Sequence, residues 1–219
     1  MMIDLTHTIT PDIPVYPGTP SPAMSPLCTI TSSGFRETAI ALTSHTGTHM
    51  DAPSHVSRQG SSLDQLPVSQ FCGRAVALDV SQVGPVITAE FLKAHHDSLY
   101  CADFLLFYTG WEKKWGTGDY LEDTFPVPDE EAARYLVSCG LKGVGTDAIS
   151  VDRISGPLTA HQIFLGDGMV IIECLCLKKV AGRKDFLFFA LPLKTENADG
   201  APVRAIAELR ENDEKGRGL

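Results

Sequence analysis

Residues 168–177, Gly-Met-Val-Ile-Ile-Glu-Cys-Leu-Cys-Leu, are apolar at almost every position and carry one charge, Glu173. A strand with one face in water alternates apolar and polar residues. A near-continuous apolar run of this length reads instead as a strand covered on both faces. The chain is therefore expected to build layers, with helices packed on a sheet. The run also carries a difficulty. A carboxylate inside such a strand costs several kcal/mol unless it is ion-paired, protonated or bound to a metal. A salt bridge to a basic residue, or exposure at the strand's end, would be the plain solution.

A second segment offers a different solution. His45-Thr46-Gly47-Thr48-His49-Met50-Asp51-Ala52-Pro53-Ser54-His55 packs three of the seven histidines and one aspartate into eleven residues. Gly47 and Pro53 are poor helix residues, and Thr46 and Thr48 are β-branched, so a helix is disfavoured. An extended chain turns alternate side chains to one face. His45, His49 and Asp51, with His55 as a further candidate, then converge on one side of an extended or looped segment, with Gly47 placing no side chain between the first two. Imidazoles and a carboxylate suit zinc or another transition metal. The bland alternative is a polar loop whose histidines cap backbone groups, but so dense a set of ligand types favours a metal. Further ligands must come from elsewhere. His161, in a short helix bounded by Pro157 and Gly166, and the isolated Glu173 are the candidates. His95 and His96 end an amphipathic stretch that begins at Thr88, and histidines in a last helical turn suit the helix dipole. They read as structural.

Around these segments the pattern is α/β. Residues 1–70 are rich in Pro, Ser and Thr and hold short strands such as 37–42, which leads into the histidine motif. From residue 74 strands at 74–80, 104–109 and 141–145 alternate with helices at 88–97, 129–139 and 157–166. This alternation predicts parallel pairing with helices on the sheet. Residues 186–191 and 203–209 add two strands, and 211–219 read as a charged, frayed tail. No repeat or interdomain linker interrupts the chain, so one domain over 1–219 is expected.

These segments resemble those of the cyclase family of metal-dependent hydrolases, which includes bacterial kynurenine formamidase (arylformamidase). Besides the eleven-residue motif, Ile3-Asp4-Leu5-Thr6-His7 followed by Pro14-Val15-Tyr16-Pro17-Gly18 looks like the family's N-terminal segment. Gly145-Thr146-Asp147-Ala148-Ile149-Ser150-Val151-Asp152 looks like its central one. Val170-Ile171-Ile172-Glu173, Ala190-Leu191-Pro192-Leu193-Lys194 and 198–205 resemble its C-terminal half. The resemblance implies a mixed-sheet, swivelling β/β/α fold. It implies that His45, His49, Asp51, His161 and Glu173 hold one or two Zn2+ ions, with Mn2+ as the alternative. Asp51 and Glu173 would bridge two ions. It implies that His55 is the general acid and base, and that Tyr16 stands where formamidases place an aromatic, usually Trp, against the substrate ring. Cys174 falls where many relatives have Asn. The activity implied is hydrolysis of an N-formyl aryl amine, as in tryptophan catabolism, by a metal-bound hydroxide, with His55 protonating the departing nitrogen. An isatin-hydrolase-like opening of a cyclic amide is the alternative, and a non-catalytic metal-stabilised binding protein a more distant one. Trp111 and Trp115 are further candidates for the pocket wall.

Composition narrows the remaining classes. A net charge of −9 over 219 residues argues against nucleic acid, whose phosphates demand basic patches. No segment has the run of about 18–20 apolar residues that a membrane span needs. The start lacks the basic and apolar regions of a signal peptide, and the six scattered cysteines form no C-x-x-C pair, so a reduced, cytoplasmic protein is expected. Its partner would be a small-molecule substrate, and the chain would form a homo-oligomer, dimer or tetramer. The Pro-rich segment 11–26 is expected to pack on a sheet or across a neighbouring subunit and to bring Tyr16 to a pocket mouth.

Overall fold

The computed structural model describes residues 1–209; the segment 211–219, read from sequence as a frayed tail, lies outside the described residues. In chain order the elements are β1 (Met2–Asp4), β2 (Ala23–Cys28), α1 (Ile30–Ser33), β3 (Glu37–Ala41), β4 (His49–Asp51), β5 (Cys72–Asp79), β6 (Val86–Ile87), α2 (Ala89–Lys93), α3 (His96–Tyr100), β7 (Phe104–Tyr108), β8 (Val127–Pro128), α4 (Glu130–Ser138), β9 (Gly143–Thr146), α5 (Thr159–Gly166), β10 (Val170–Glu173), β11 (Phe186–Pro192) and β12 (Gly200–Glu208).

The main sheet runs β1-β12-β11-β5-β7-β9-β10-β4, and β4 pairs again with β12, so seven strands close into a ring. β12 manages this by sharing one edge: Gly200, Ala201 and Pro202 pair with β4, while residues 206–208 pair with β1. β5, β7, β9 and β10 run parallel, and the other pairings are antiparallel. Parallel neighbours need long crossovers. Here α2 with α3, then α4, then α5 supply them and cover the outside of the ring. The fold class is the α/β, mixed-sheet one expected from the sequence.

The period-two alternation of the strands sorts two cores. Ala75, Ala77, Phe104, Leu106, Ile172, Phe186, Phe188, Ala205 and Ala207 belong to one cluster that fills the ring. Large and small side chains interleave there, as a narrow interior requires. Val76, Leu78, Leu105, Phe107, Val144 and Ile171 face outward beneath the helices, against Leu92, Leu99, Leu136 and Phe164. This is why every residue of β7, β9 and β10 is buried.

Several local expectations shift. The stretch 88–97 is two short helices rather than one. The His95 ring donates from Nδ1 to the Phe91 carbonyl at 3.0 Å, closing the end of α2, and the His96 ring pairs with the Tyr135 hydroxyl at 2.9 Å. The apolar run 168–177 is strand only as far as Glu173. Cys174 takes φ 56, which breaks the ladder and leaves Cys174 and Cys176 beyond it. Strand β3 does not enter the sheet; it pairs with β2 in an exposed hairpin.

The N-terminal segment lies over its own chain, where Leu5 and Ile13 are buried. The His7 amide donates to Thr48 Oγ1 at 3.0 Å, and the His7 ring stacks on Trp115 at 3.8 Å and 7°. Its Nε2 is buried without a partner among the described residues. Burial pushes the His7 pKa from 6.5 down to about 4, so the fold holds the ring neutral. The unfolded chain binds this proton more readily. Stability from His7 is therefore complete above pH 6.5 and is lost as the pH falls towards 4. The ring is only partly shielded from solvent, and about 1–2 kcal/mol is expected. Thermal melts from pH 7.5 to 4.5 should show a steeper fall for the parent than for His7→Phe; parallel curves would remove His7 as the cause.

Candidate active site

β4 and β10 create the site by register. Glu173 lies opposite His49, Ile172 opposite Met50, and Ile171 opposite Asp51. Opposed residues share a face. Met50 and Ile172 point into the ring, so His49, Asp51 and Glu173 point outward on the side that α5 covers. The alternation expected over 45–55 holds only across His49–Asp51. His45 arrives through a turn in which Gly47 takes φ 62, and His55 ends a short 3-10 turn, Pro53–His55. Gly47 is thus needed first for its backbone: a Cβ there would be in the left-handed region and 3.3 Å from the Ile9 side chain. Gly200 serves His45 more directly. It pairs with Asp51, and a Cβ on it would stand 2.7 Å from His45 Cε1.

Each carboxylate presents its two oxygens to different imidazoles. Asp51 Oδ1 lies 2.7 Å from His45 Nδ1 and 3.3 Å from His49 Nε2, while its Oδ2 lies 3.6 Å from His161 Nε2. Glu173 Oε2 lies 3.5 Å from His49 Nε2 and its Oε1 3.4 Å from His161 Nε2. The far ring nitrogens are tied down. His49 Nδ1 donates to the Gly47 carbonyl at 2.8 Å, and His161 Nδ1 pairs with Asp152 Oδ2 at 2.8 Å. Those contacts turn both Nε2 atoms towards the carboxylates, as outer contacts do for metal-binding histidines.

The donor chemistry fits a divalent cation. Ligands at about 2.1 Å, set tetrahedrally, stand roughly 3.4 Å apart. The four His49 and His161 separations run from 3.3 to 3.6 Å. Two triads emerge, His45-His49-Asp51 and Asp51-His161-Glu173, sharing Asp51. Asp51 and Glu173 are nearly inaccessible, and no Lys or Arg pairs with either among the described residues. Positive charge must come from the histidines or from a cation. Burial alone would lower the His49 and His161 pKa values, yet the carboxylates hold both well above 6.5. Burial would raise Asp51, and the three imidazoles hold it well below the usual carboxylate range.

A cavity of about 300 Å³ opens above these groups. Pro14, Val15, Tyr16, Ile149 and Leu158 form its apolar wall, and His55 lines it beside His45, His49 and His161. Tyr16 donates its hydroxyl to the Ile154 carbonyl at 3.2 Å, so segment 11–19 covers its own chain and holds the ring at the cavity. Trp111 and Trp115 do not line the cavity. Trp111 Nε1 donates to the Tyr120 carbonyl at 3.0 Å, and Trp115 is taken up by His7 and Tyr120, so both pack their loop down. Cys174 does line it. Its backbone lies in the left-handed region at φ 56, a conformation that Asn adopts more readily than Cys.

Two residues went without a role in the sequence. Asp152 accepts the Ala160 and His161 amides at 2.9 Å besides the His161 ring, fixing both the start of α5 and the ligand's orientation. Asp199 lies 3.1 Å from His45 Nε2 and 3.7 Å from His55 Nδ1. An aspartate shortly before a helix that carries a candidate ligand was a readable signal for the first. Asp199, 144 residues from His55 in the chain, offered none.

The chain is similar to known proteins in sequence and fold. The Cyclase family model matches residues 3–153. Kynurenine formamidase of Salinibacter ruber is 35% identical over 213 residues, covering 94% of this chain and 96% of its own. Isatin hydrolase A from Labrenzia aggregata, solved with benzyl benzoate, superposes with a TM-score of 0.85 at 29% identity, covering 96% of this chain and 94% of that one. A solved protein described as a potential metal-dependent hydrolase with cyclase activity gives a TM-score of 0.79 at 32% identity, over 96% and 98%. With the matched segment spanning well over half of the sequence and the ring of strands in common, the chain belongs to the Cyclase family.

Proposed function

We propose that the protein is a metal-dependent hydrolase of carbon–nitrogen bonds outside peptides, acting on a small aryl amide. The observation that carries this is the pair of buried carboxylates, Asp51 and Glu173, each spanning two imidazoles at the floor of an apolar cavity. His45, His49, Asp51, His161 and Glu173 would hold one or two ions, zinc by preference and manganese within the same nitrogen and oxygen set. Such an ion, when bound, polarises a carbonyl and lowers the pKa of water from about 16 towards roughly 7.

The residues of the chain supply the rest. Hydrolysis adds water across the C–N bond: the water oxygen joins the carbonyl carbon, and a water proton ends on the departing nitrogen. His55 suits the transfer. Burial holds its pKa below 6.5, so the ring is neutral at pH 7 and can take the proton before passing it on. Tyr16, Val15, Ile149 and Leu158 would seat an aromatic ring and exclude water. Asp152 keeps His161 turned inward. The homo-oligomer and cytoplasmic setting expected from the sequence belong to the same reading.

The N-formyl aryl amide reading draws on the formamidase relative. A second reading, opening of a cyclic amide, draws on the isatin hydrolase likeness and on the cavity itself. Among the described residues no Lys or Arg lines it to take an amino-acid carboxylate, which favours a compact uncharged ring. A hydrolysis screen of metal-loaded protein against N-formylkynurenine, formanilide, isatin and simple esters separates them. Turnover of formanilide or isatin, abolished by chelator and restored by metal, is expected. Hydrolysis of esters alone, or of nothing, would overturn the amide assignment.

A further inference from the structure

Residues 198–200 are tied to the sheet at every step. Leu63 donates its amide to the Ala198 carbonyl at 2.9 Å, Ala52 donates to the Asp199 carbonyl at 2.8 Å, and Gly200 pairs with Asp51. Asp199 therefore has a fixed backbone, although its side chain is 49% exposed. No Lys or Arg pairs with that side chain among the described residues. Its ionic contacts are two imidazoles, and both face Oδ2: His45 Nε2 at 3.1 Å and His55 Nδ1 at 3.7 Å. The two ring centroids are 4.1 Å apart. Gly200 leaves room for this, because a Cβ on it would stand 3.0 Å from His45 Nε2.

We infer that Asp199 is a positioning residue that sets the tautomers of His45 and His55 together; its part in turnover rests on the hydrolase reading above. An ionised aspartate only accepts hydrogen bonds, and a neutral imidazole carries one proton on one of its two nitrogens. Facing Asp199, His45 carries its proton on Nε2. The lone pair is then on Nδ1, 2.7 Å from Asp51, on the side where His45, His49 and Asp51 would hold an ion. His55 meets the same oxygen at a distance longer than a hydrogen bond, so that contact is electrostatic. It favours the proton on Nδ1, the nearer nitrogen. Nε2 of His55 is then free to take a proton from water and pass it to the departing nitrogen. Direct ligation of an ion by His45, His55 and Asp199 is the alternative. That triad has one half-exposed carboxylate, whereas Asp51, His161 and Glu173 offer two buried ones, so the charge to hold an ion lies elsewhere.

Asp199→Ala and Asp199→Asn test the assignment through two readouts that need no turnover. Zinc affinity, measured by competition with a chromophoric chelator, should fall about 10–100-fold in Asp199→Ala. Nitrogen-15 shifts of the imidazoles in zinc-loaded protein at neutral pH should show His45 protonated on Nε2 and His55 on Nδ1 in the parent. In Asp199→Ala the His55 proton should move to Nε2. Asp199→Asn keeps the shape and one acceptor oxygen, and should fall between the two on both readouts. At saturating zinc, kcat for formanilide or isatin should drop about 10–100-fold in Asp199→Ala with KM little changed. A parent that hydrolyses neither defeats the hydrolase reading, and the zinc and nitrogen readouts then decide the role of Asp199 by themselves. Unchanged zinc affinity together with unchanged tautomers in Asp199→Ala overturns the inference. So does a loss of zinc as large as that of Asp51→Ala, which would make Asp199 a ligand.

Discussion

Glu173→Ala and Asp51→Ala should each purify with far less metal than the parent. Both carboxylates are buried, and each spans two imidazoles through separate oxygens, so neither has a neighbour that could take over its place. Changing a residue that only orients a ligand costs about 10–100-fold in metal affinity. Removing one of these carboxylates should cost more, because it deletes a donor and half of the buried negative charge. Zinc and manganese per chain, measured by plasma emission after purification without chelator, reads the effect, and the same measurement on the parent decides which metal the site prefers. The alanine variants are expected to fold, since the lost carboxylate was itself costly to bury. Normal metal occupancy in both variants would sink the shared site, and with it the hydrolytic reading. Because Asp51 belongs to both triads, a loss confined to Asp51→Ala would reduce the site to a single ion held by His45, His49 and Asp51.

What could be read in the sequence followed from how local the physics was. The covered strands were legible because burial on two faces leaves a nearly unbroken apolar run, as in Phe104–Tyr108 and Val170–Glu173. Glu173 was legible because it broke that run. The helix Glu130–Ser138 announced itself through the Asp129 cap, the acidic first turn and Gly140 beyond its end. Closure of the ring was not legible. It depends on β12 dividing one edge between β4 and β1, which no local pattern encodes. Of the extended or looped reading of residues 45–55, the extended part covers only His49–Asp51 and the looped part the rest. Two turns, not one strand, deliver His45 and His55, because Gly47 and Pro53 act as turn residues on either side of three paired ones. The exposed hairpin was missed because alternation in 37–42 signals a strand without saying which strand it pairs with. Asp199 reaches His45 only through the sheet pairing that brings Gly200 beside Asp51.

His55→Ala should keep its metal and lose about 10²–10⁴-fold in hydrolysis. His55 lines the cavity and forms no ion pair with Asp51 or Glu173 among the described residues. Its nearest acidic contact is Asp199 Oδ2 at 3.7 Å, and its ring lies 4.1 Å from that of His45 and 6.0 Å from that of His161. The burial that lowers its pKa leaves it neutral at pH 7, ready to accept a proton and return it to nitrogen. The loss should appear in kcat with KM little changed, because a proton transfer is made in the transition state and not in substrate binding. Metal content separates this role from the other one the geometry allows, since His45, His55 and Asp199 also lie close enough to hold an ion together. If His55→Ala loses metal along with activity, His55 is a ligand and the proton carrier must be sought elsewhere. If it keeps both metal and full activity, water or another group moves the proton. Metal retained with kcat alone reduced is the one result that leaves His55 as the acid and base of this site.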